Sequence, residues 1–225
     1  MSLLQIATDA VTGRVPVEGQ TLSVIDLAIK GGFMMIPIVL LLILAIYLFI
    51  ERIRVIHKAN QDPDTFMGEV KELVLLGDID GAKMLCTQND TPVARMIEKG
   101  ISRLGSPLQN IETSLENVGK IEVFKLEKNL ALLATIAGSA PMIGFLGTVI
   151  GMVQAFISIS QQEGSVSPKS LSSGIYTAMI TTVGGLLVGI IAYLAYNYLV
   201  SRVQQVIHKM EYTAIDFIDL LQEPR

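Results

Sequence analysis

Four threonines are the side chains best suited to handle an ion in an otherwise apolar setting: Thr148, Thr177, Thr181 and Thr182. A hydroxyl donates one hydrogen and accepts two, so it ligates a cation or meets a protonated carboxyl without itself titrating. Small residues surround them: Ala140, Gly144, Gly147, Gly151 and Ala155, then Gly174, Ala178, Gly184, Gly185, Gly189 and Ala192. On a helix, Gly174, Ala178, Thr181, Thr182, Gly185, Gly189 and Ala192 share a sector of about 100°. Such a face lets helices approach closely in lipid, where packing replaces the hydrophobic effect. Two uses stay open. The two segments pack on each other, each hydroxyl bonded to its own helix, or their faces also line a central space holding another helix, with the threonines as a polar ring.

Other chemistry finds no residues to carry it. Cys86 is the single cysteine, which excludes a disulfide framework and a multi-cysteine metal site. It reads as a reduced thiol. His57 and His208 follow apolar runs and have no partners at metal-ligand spacing. Gly144–Gly151 lacks the Lys-Ser/Thr ending of a phosphate loop. Asp78-Ile79-Asp80-Gly81 resembles the start of a calcium loop but lacks the remaining ligands, so it reads as a helix cap. No metal or cofactor is expected, and the chain is not expected to be an enzyme. A pI of about 5.2 without a basic stripe argues against nucleic acid.

The elements that position the threonines follow from charge. The chain has 225 residues, 51% hydrophobic and 17% charged, with a mean hydropathy of +0.53. Residues 51–128 carry 11 Lys/Arg and 13 Asp/Glu, whereas 31–50, 129–162 and 170–201 carry none over 20, 34 and 32 residues. That segregation predicts an all-α integral membrane protein with three spans. The first is 31–50, with Pro37 one turn in. The second reaches lipid depth near Ala140–Ile159, at the end of one long helix over about 108–160 with Pro141 as its point of bending. The third spans near Ile175–Leu199. Segment 51–128 reads as short helices, Asp64–Leu76, Asp78–Gln88 and Thr91–Leu104, between breakers at Asp62–Pro63, Gly77–Asp78, Thr91–Pro92 and Gly105–Pro107. Its interleaved charges read as solvated faces.

Basic residues set the expected orientation. Arg52, Arg54, Lys58, Lys71, Lys120, Lys125, Lys128, Arg202 and Lys209 flank one side, against Arg14, Lys30 and Lys169 on the other. The N-terminus is then outside and the C-terminus inside. The expected organisation is an extracytoplasmic segment 1–30, spans at 31–50, 129–162 and 173–201, a cytoplasmic helical domain 51–128, a short periplasmic loop 163–172 and a cytoplasmic C-terminal helix 202–225. No signal peptide is expected, since Met1 to Ala10 lacks a basic region. Tyr193, Tyr196, Asn197 and Tyr198 fit an interfacial anchor. No Asp, Glu, Lys, Arg or His lies within the spans, so a titrating relay through the membrane needs a group from elsewhere.

Those residues resemble a known family. Ala140-Pro141-Met142-Ile143-Gly144-Phe145-Leu146-Gly147-Thr148-Val149-Ile150-Gly151-Met152 is similar to the APxxGxxGTVxGM segment of the MotA/TolQ/ExbB proton-channel family. Ser173-Gly174-Ile175, Ala178, Thr182, Gly185-Leu186 and Ala195-Tyr196-Asn197 resemble its third-span pattern. The likeness is close over about 129–200 and architectural elsewhere, and length favours the ExbB/TolQ branch.

The resemblance implies a subunit of a bacterial inner-membrane motor driven by the proton gradient. Several copies, a pentamer, would surround the single-span helices of an ExbD/TolR-like partner that supplies the titrating Asp. The work would pass to a TonB- or TolA-like protein acting at the outer membrane. By position, Thr148 and Thr182 would be the pore hydroxyls, with Thr177 and Thr181 beside them. Pro141 opens the second span, and Gly144, Gly147, Gly151, Gly174, Gly185 and Gly189 serve packing. Many ExbB and TolQ chains have Glu where this one has Thr177, which leaves room for a different coupling ion. The alternatives are a passive channel or transporter and a membrane scaffold without ion coupling.

Overall fold

A computed structural model describes residues 31–60, 63–161 and 168–222. The expectations for segment 1–30, including Arg14 and Lys30, for Asp62, for 162–167 and for 223–225 lie outside the described residues. Seven helices and no strands are present among the described residues. They are α1 Met35–Ala59, α2 Pro63–Leu75, α3 Ile79–Gln88, α4 Pro92–Ile101, α5 Leu108–Glu127, α6 Leu130–Ser160 and α7 Pro168–Gln222. Among the described residues three stretches are long and apolar enough to cross a membrane: α1, the α5–α6 pair and α7. The chain is a multi-pass membrane protein.

The axis of the fold is α7, whose 55 residues reach about 82 Å at 1.5 Å each. Its first half packs against α6 and α1. Met35, Ile38, Ala45, Leu48, Arg52, Ile56 and Ala59 are buried at spacings that keep to one side of α1. The second half of α7 joins the charged segment, where Phe217, Ile97, Ile101 and Leu115 are almost wholly buried. A Cβ on Gly100 would lie 2.7 Å from the Phe217 ring and 2.9 Å from Leu115, so α4 approaches both α7 and α5 through a bare position.

The short helices start on caps that their sequences supply. Asp78 accepts from Gly81 N at 2.9 Å, and Thr91 accepts from Ala94 N at 3.2 Å. The Asp78 segment is thus a cap, as its incomplete ligand set suggested.

Three boundaries differ from expectation. The helix over 108–160 breaks at Lys128–Asn129, where Asn129 adopts φ +66°, and it runs unbroken through Pro141. The third span and the C-terminal helix are one continuous α7, because no breaker separates them. That helix already begins at Pro168, which shortens the loop expected over 163–172. Proline suits a first helical position, where its missing N–H is an orphan anyway.

Candidate functional site

The glycines of α6 and α7 interlock along one antiparallel seam. A Cβ on Gly185 would lie 2.6 Å from the Ala140 carbonyl oxygen and 2.8 Å from Gly144 Cα. On Gly144 it would meet Thr181 O at 2.8 Å, on Gly151 the Ala178 Cβ at 2.8 Å, and on Gly174 the Ala155 Cβ at 2.7 Å. Gly147 faces the Thr181 side chain. These partners are backbone atoms or the short side chains of Ala155, Ala178 and Thr181, so the helices touch where larger side chains are missing. The first of the two open uses, packing of the segments on each other, is where the small face goes.

Pro141 belongs to this seam. It has no N–H for the Ala137 carbonyl one turn back. A Cβ on Gly189 would lie 2.5 Å from Pro141 Cγ and 3.1 Å from Ala137 O. Gly189 therefore lets α7 close over both the ring and the carbonyl that the ring leaves free.

The four threonines separate into different places. Thr181 is 1% exposed, inside the seam, and its hydroxyl donates to Ala178 O at 2.7 Å. It lies under α6, where a Cβ on Gly147 would meet its side chain. Thr177 lies on the α1 side, where a Cβ on Gly32 would be 3.8 Å from its methyl group. Thr148 and Thr182 are half-buried. Thr148 donates to Phe145 O at 2.6 Å, and Thr182 donates across the seam to Gly144 O at 3.1 Å.

Thr148 and Thr182 share one edge. Thr148 lies two turns from Pro141 and Thr182 two turns from Gly189, each pair stacked to within about 20°. Pro141 and Gly189 touch, so the threonines flank the seam on that same side. Their depths agree within about a turn, since Gly147 meets Thr181 and Gly151 meets Ala178. On α7, Thr182 is about 160° round from Gly184, which faces Met35 and Ile38 of α1. The edge thus points away from α1. Each hydroxyl hydrogen is committed to a carbonyl, which leaves lone pairs to accept from a protonated carboxyl or to ligate a cation. No Asp, Glu, Lys, Arg or His lies in 129–162 or 170–201, and no cluster of three metal-type ligands exists among the described residues.

A second polar site, which the sequence reading placed on solvated faces, is buried where the charged segment meets the apolar one. Arg52 is 5% exposed; it pairs with Glu51 at 2.6 Å and donates to Lys125 O at 3.2 Å. That carbonyl belongs to the last turn of α5, where carbonyls lack helical partners. Asn129 donates to Glu51 Oε2 at 3.2 Å, tying the helix break to α1. Nearby, Glu122 is 3% exposed and pairs with Arg95 and Lys125, each at 2.7 Å. Arg95 also holds Asp90, which Lys58 reaches at 2.7 Å. Burial works to raise the Glu122 carboxyl, but the Arg95 and Lys125 bonds outweigh it and leave it lowered. The signal for the break was Asn129 itself, a residue type tolerant of the left-handed conformation. Nothing local marked Glu122 or Arg52 for burial.

Cys86 is buried, which pushes its thiol up to about 12 with help from the Glu98 charge. It is an inert core residue. His208 lies 3.4 Å from Glu211 on an exposed face.

The comparisons with known proteins agree on one family. The MotA/TolQ/ExbB proton channel family matches over residues 88–212, from the end of α3 well into α7. The biopolymer transport protein ExbB of Aquifex aeolicus is 34% identical over 140 residues, 62% of this chain and 88% of that protein. An ExbB homolog of Methanothermobacter thermautotrophicus is 28% identical over 190 residues, 84% of this chain and 67% of its own length. The exbB1 protein of Vibrio cholerae is 31% identical over 99 residues, 44% and 43% of the two chains. The glycine seam and its paired threonines lie wholly within the matched region, and the chain belongs to the MotA/TolQ/ExbB proton channel family, a family of channel and transport components and not of enzymes.

Proposed function

We propose that this chain is the ring-forming subunit of an ExbB-like motor for biopolymer transport, working in the bacterial inner membrane with its N-terminus outside. The observation that carries the reading is the Thr148–Thr182 edge, two hydroxyls within about a turn of one depth in segments without an Asp, Glu, Lys, Arg or His. Copies arranged as a pentamer would turn these edges inward. A single-span ExbD/TolR-like partner would bring an Asp to them, and its protonated carboxyl would donate to the hydroxyl lone pairs. Release of that proton on the other side would move the partner helix relative to the ring. A TonB- or TolA-like protein would carry the work outward. Thr177, set towards α1, would act outside this contact.

The excess of basic residues beside 51–128 and after 201 supports a cytoplasmic placement of the 51–128 helical domain and the end of α7. The relatives named for biopolymer transport support the assignment of the process.

The test pairs purification with activity. A single-span protein with an Asp in its span should co-purify with this chain. Thr148→Val and Thr182→Val should keep that complex intact and lower transport that depends on the proton gradient. Full activity of both variants would remove the two hydroxyls from the pathway. Activity that ignores an uncoupler would favour the scaffold alternative, and solute flux through this chain alone would favour the passive channel.

A further inference from the structure

Between α1 and the middle of α7 runs a groove whose two halves differ in chemistry. The half at span depth, about 340 Å³, has Ala45, Ile46 and Phe49 on one wall and Ile191, Leu194 and Ala195 on the other. The next half, about 260 Å³, holds His57, Asn60 and Arg202. Tyr198 lines both, so the two halves meet at its ring. Ile46, Phe49, Ile53, His57 and Asn60 recur every three or four residues, as do Ile191, Leu194, Tyr198 and Arg202 on α7. Each wall is therefore one helix face running from the span past its end, about 17 Å along α7.

The polar end is built for an anion. Arg202 is the first charge after the 32-residue charge-free stretch 170–201. Its guanidinium lies 5.2 Å from the Tyr198 ring centre, Nε donates to the Tyr198 hydroxyl at 3.2 Å and Nη1 to Gln205 at 3.1 Å. No carboxylate pairs with it among the described residues. Asn60 Oδ1 is buried beside it and accepts no hydrogen bond. At the apolar end, Ile46, Ile191 and Leu194 are 47%, 48% and 63% exposed, so the groove opens sideways to the bilayer.

We propose that this groove binds an anionic phospholipid. One acyl chain lies along the apolar half, the phosphate meets Arg202 and His57, and a headgroup hydroxyl donates to Asn60 Oδ1. A free phosphate would leave the apolar half unused. A single helix face would offer the lipid only one wall, whereas the two faces here meet at the depth where a headgroup sits. The groove lies on the α1 side of α7, away from the Thr182 edge, and so does not depend on the ion-pathway reading.

The test is lipid retention by the purified full chain, exchanged with equal phosphatidylglycerol and phosphatidylcholine and read by native mass spectrometry. Phosphatidylglycerol should be retained about fivefold over phosphatidylcholine, the preference expected of one basic side chain near a membrane surface. Arg202→Gln should bring the ratio to parity, Arg202→Lys should keep most of it, and Ala195→Phe should lower retention of both lipids. Circular dichroism reports whether each variant folds, and the Arg202 pair tests the proposal without Ala195→Phe. Equal retention by the wild type, an unchanged preference in Arg202→Gln, or displacement of the lipid by millimolar inorganic phosphate would each overturn it.

Discussion

The α6–α7 seam and the junction around Glu122 and Arg52 both exclude water, and they do so by opposite means. In the seam the helices meet through missing side chains: Gly144 and Gly185 bring backbone onto backbone. At the junction long charged side chains fill the space and bond to one another and to the carbonyl of Lys125. The physical setting explains the contrast. Within lipid, close packing holds helices together and a buried charge is costly. At the junction α5 ends, its last carbonyls need donors, and Arg52 supplies one. The seam is intolerant of an added atom, and the junction of a lost partner.

The largest break in that comparison is an addition to the seam. Gly185→Leu places atoms against the Ala140 carbonyl and Gly144 Cα, neither of which can turn aside. It should destabilise the membrane domain by about 3 kcal/mol or more, read as loss of the folded fraction in detergent titration. At the junction the damaging change is a removal. Glu122→Ala strands Arg95 and Lys125, and because Arg95 is partly exposed and keeps Asp90, the cost should be about 2 kcal/mol. Local hydrogen exchange in α4 and α5 would report it, and unchanged protection would mean that the pairs contribute nothing.

Acid should separate the two regions without a mutation. The Glu122 carboxyl is lowered in the fold, so its stabilisation is complete above the usual carboxylate range and lost as pH falls through the lowered value. The junction should loosen in acid while the seam, with nothing to titrate, keeps its protection. Glu122→Gln should flatten that acid response. Smaller effects come from single positions. Asn129→Ala takes away the short polar side chain that lets Asn hold the left-handed conformation and loses the bond to Glu51, for about 1 kcal/mol, whereas Asn129→Gly, free of a β-carbon, loses only the bond. Gly138→Ala, on α6 with nothing within 4 Å, should stabilise by about 0.5–1 kcal/mol, the reverse of Gly185.

Much of the fold was legible because membrane and water impose different residue types. The three charge-free stretches overlap the three spanning segments, and the caps at Asp78 and Thr91 were marked by their own side chains. The α5–α6 break was misplaced because Pro141 is the stronger breaker by type. In place, its ring packs on Gly189 and its freed carbonyl is covered, so the helix continues. Glu122 looked like any charge of an amphipathic helix, since burial there depends on Arg95, which is 27 residues away in sequence.

By itself the sequence determined that the chain crosses the membrane, that its second and third spans present small faces, and that no Asp, Glu, Lys, Arg or His accompanies their threonines. These follow from composition and period, which act locally. Only the tertiary structure decided what each threonine faces. Thr181 and Thr182 are adjacent in the chain, yet about 100° of helical rotation puts one inside the seam and the other on its edge beside Thr148. Which side of α7 is covered depends on where α6 and α1 settle, and that is a property of the packed helices together.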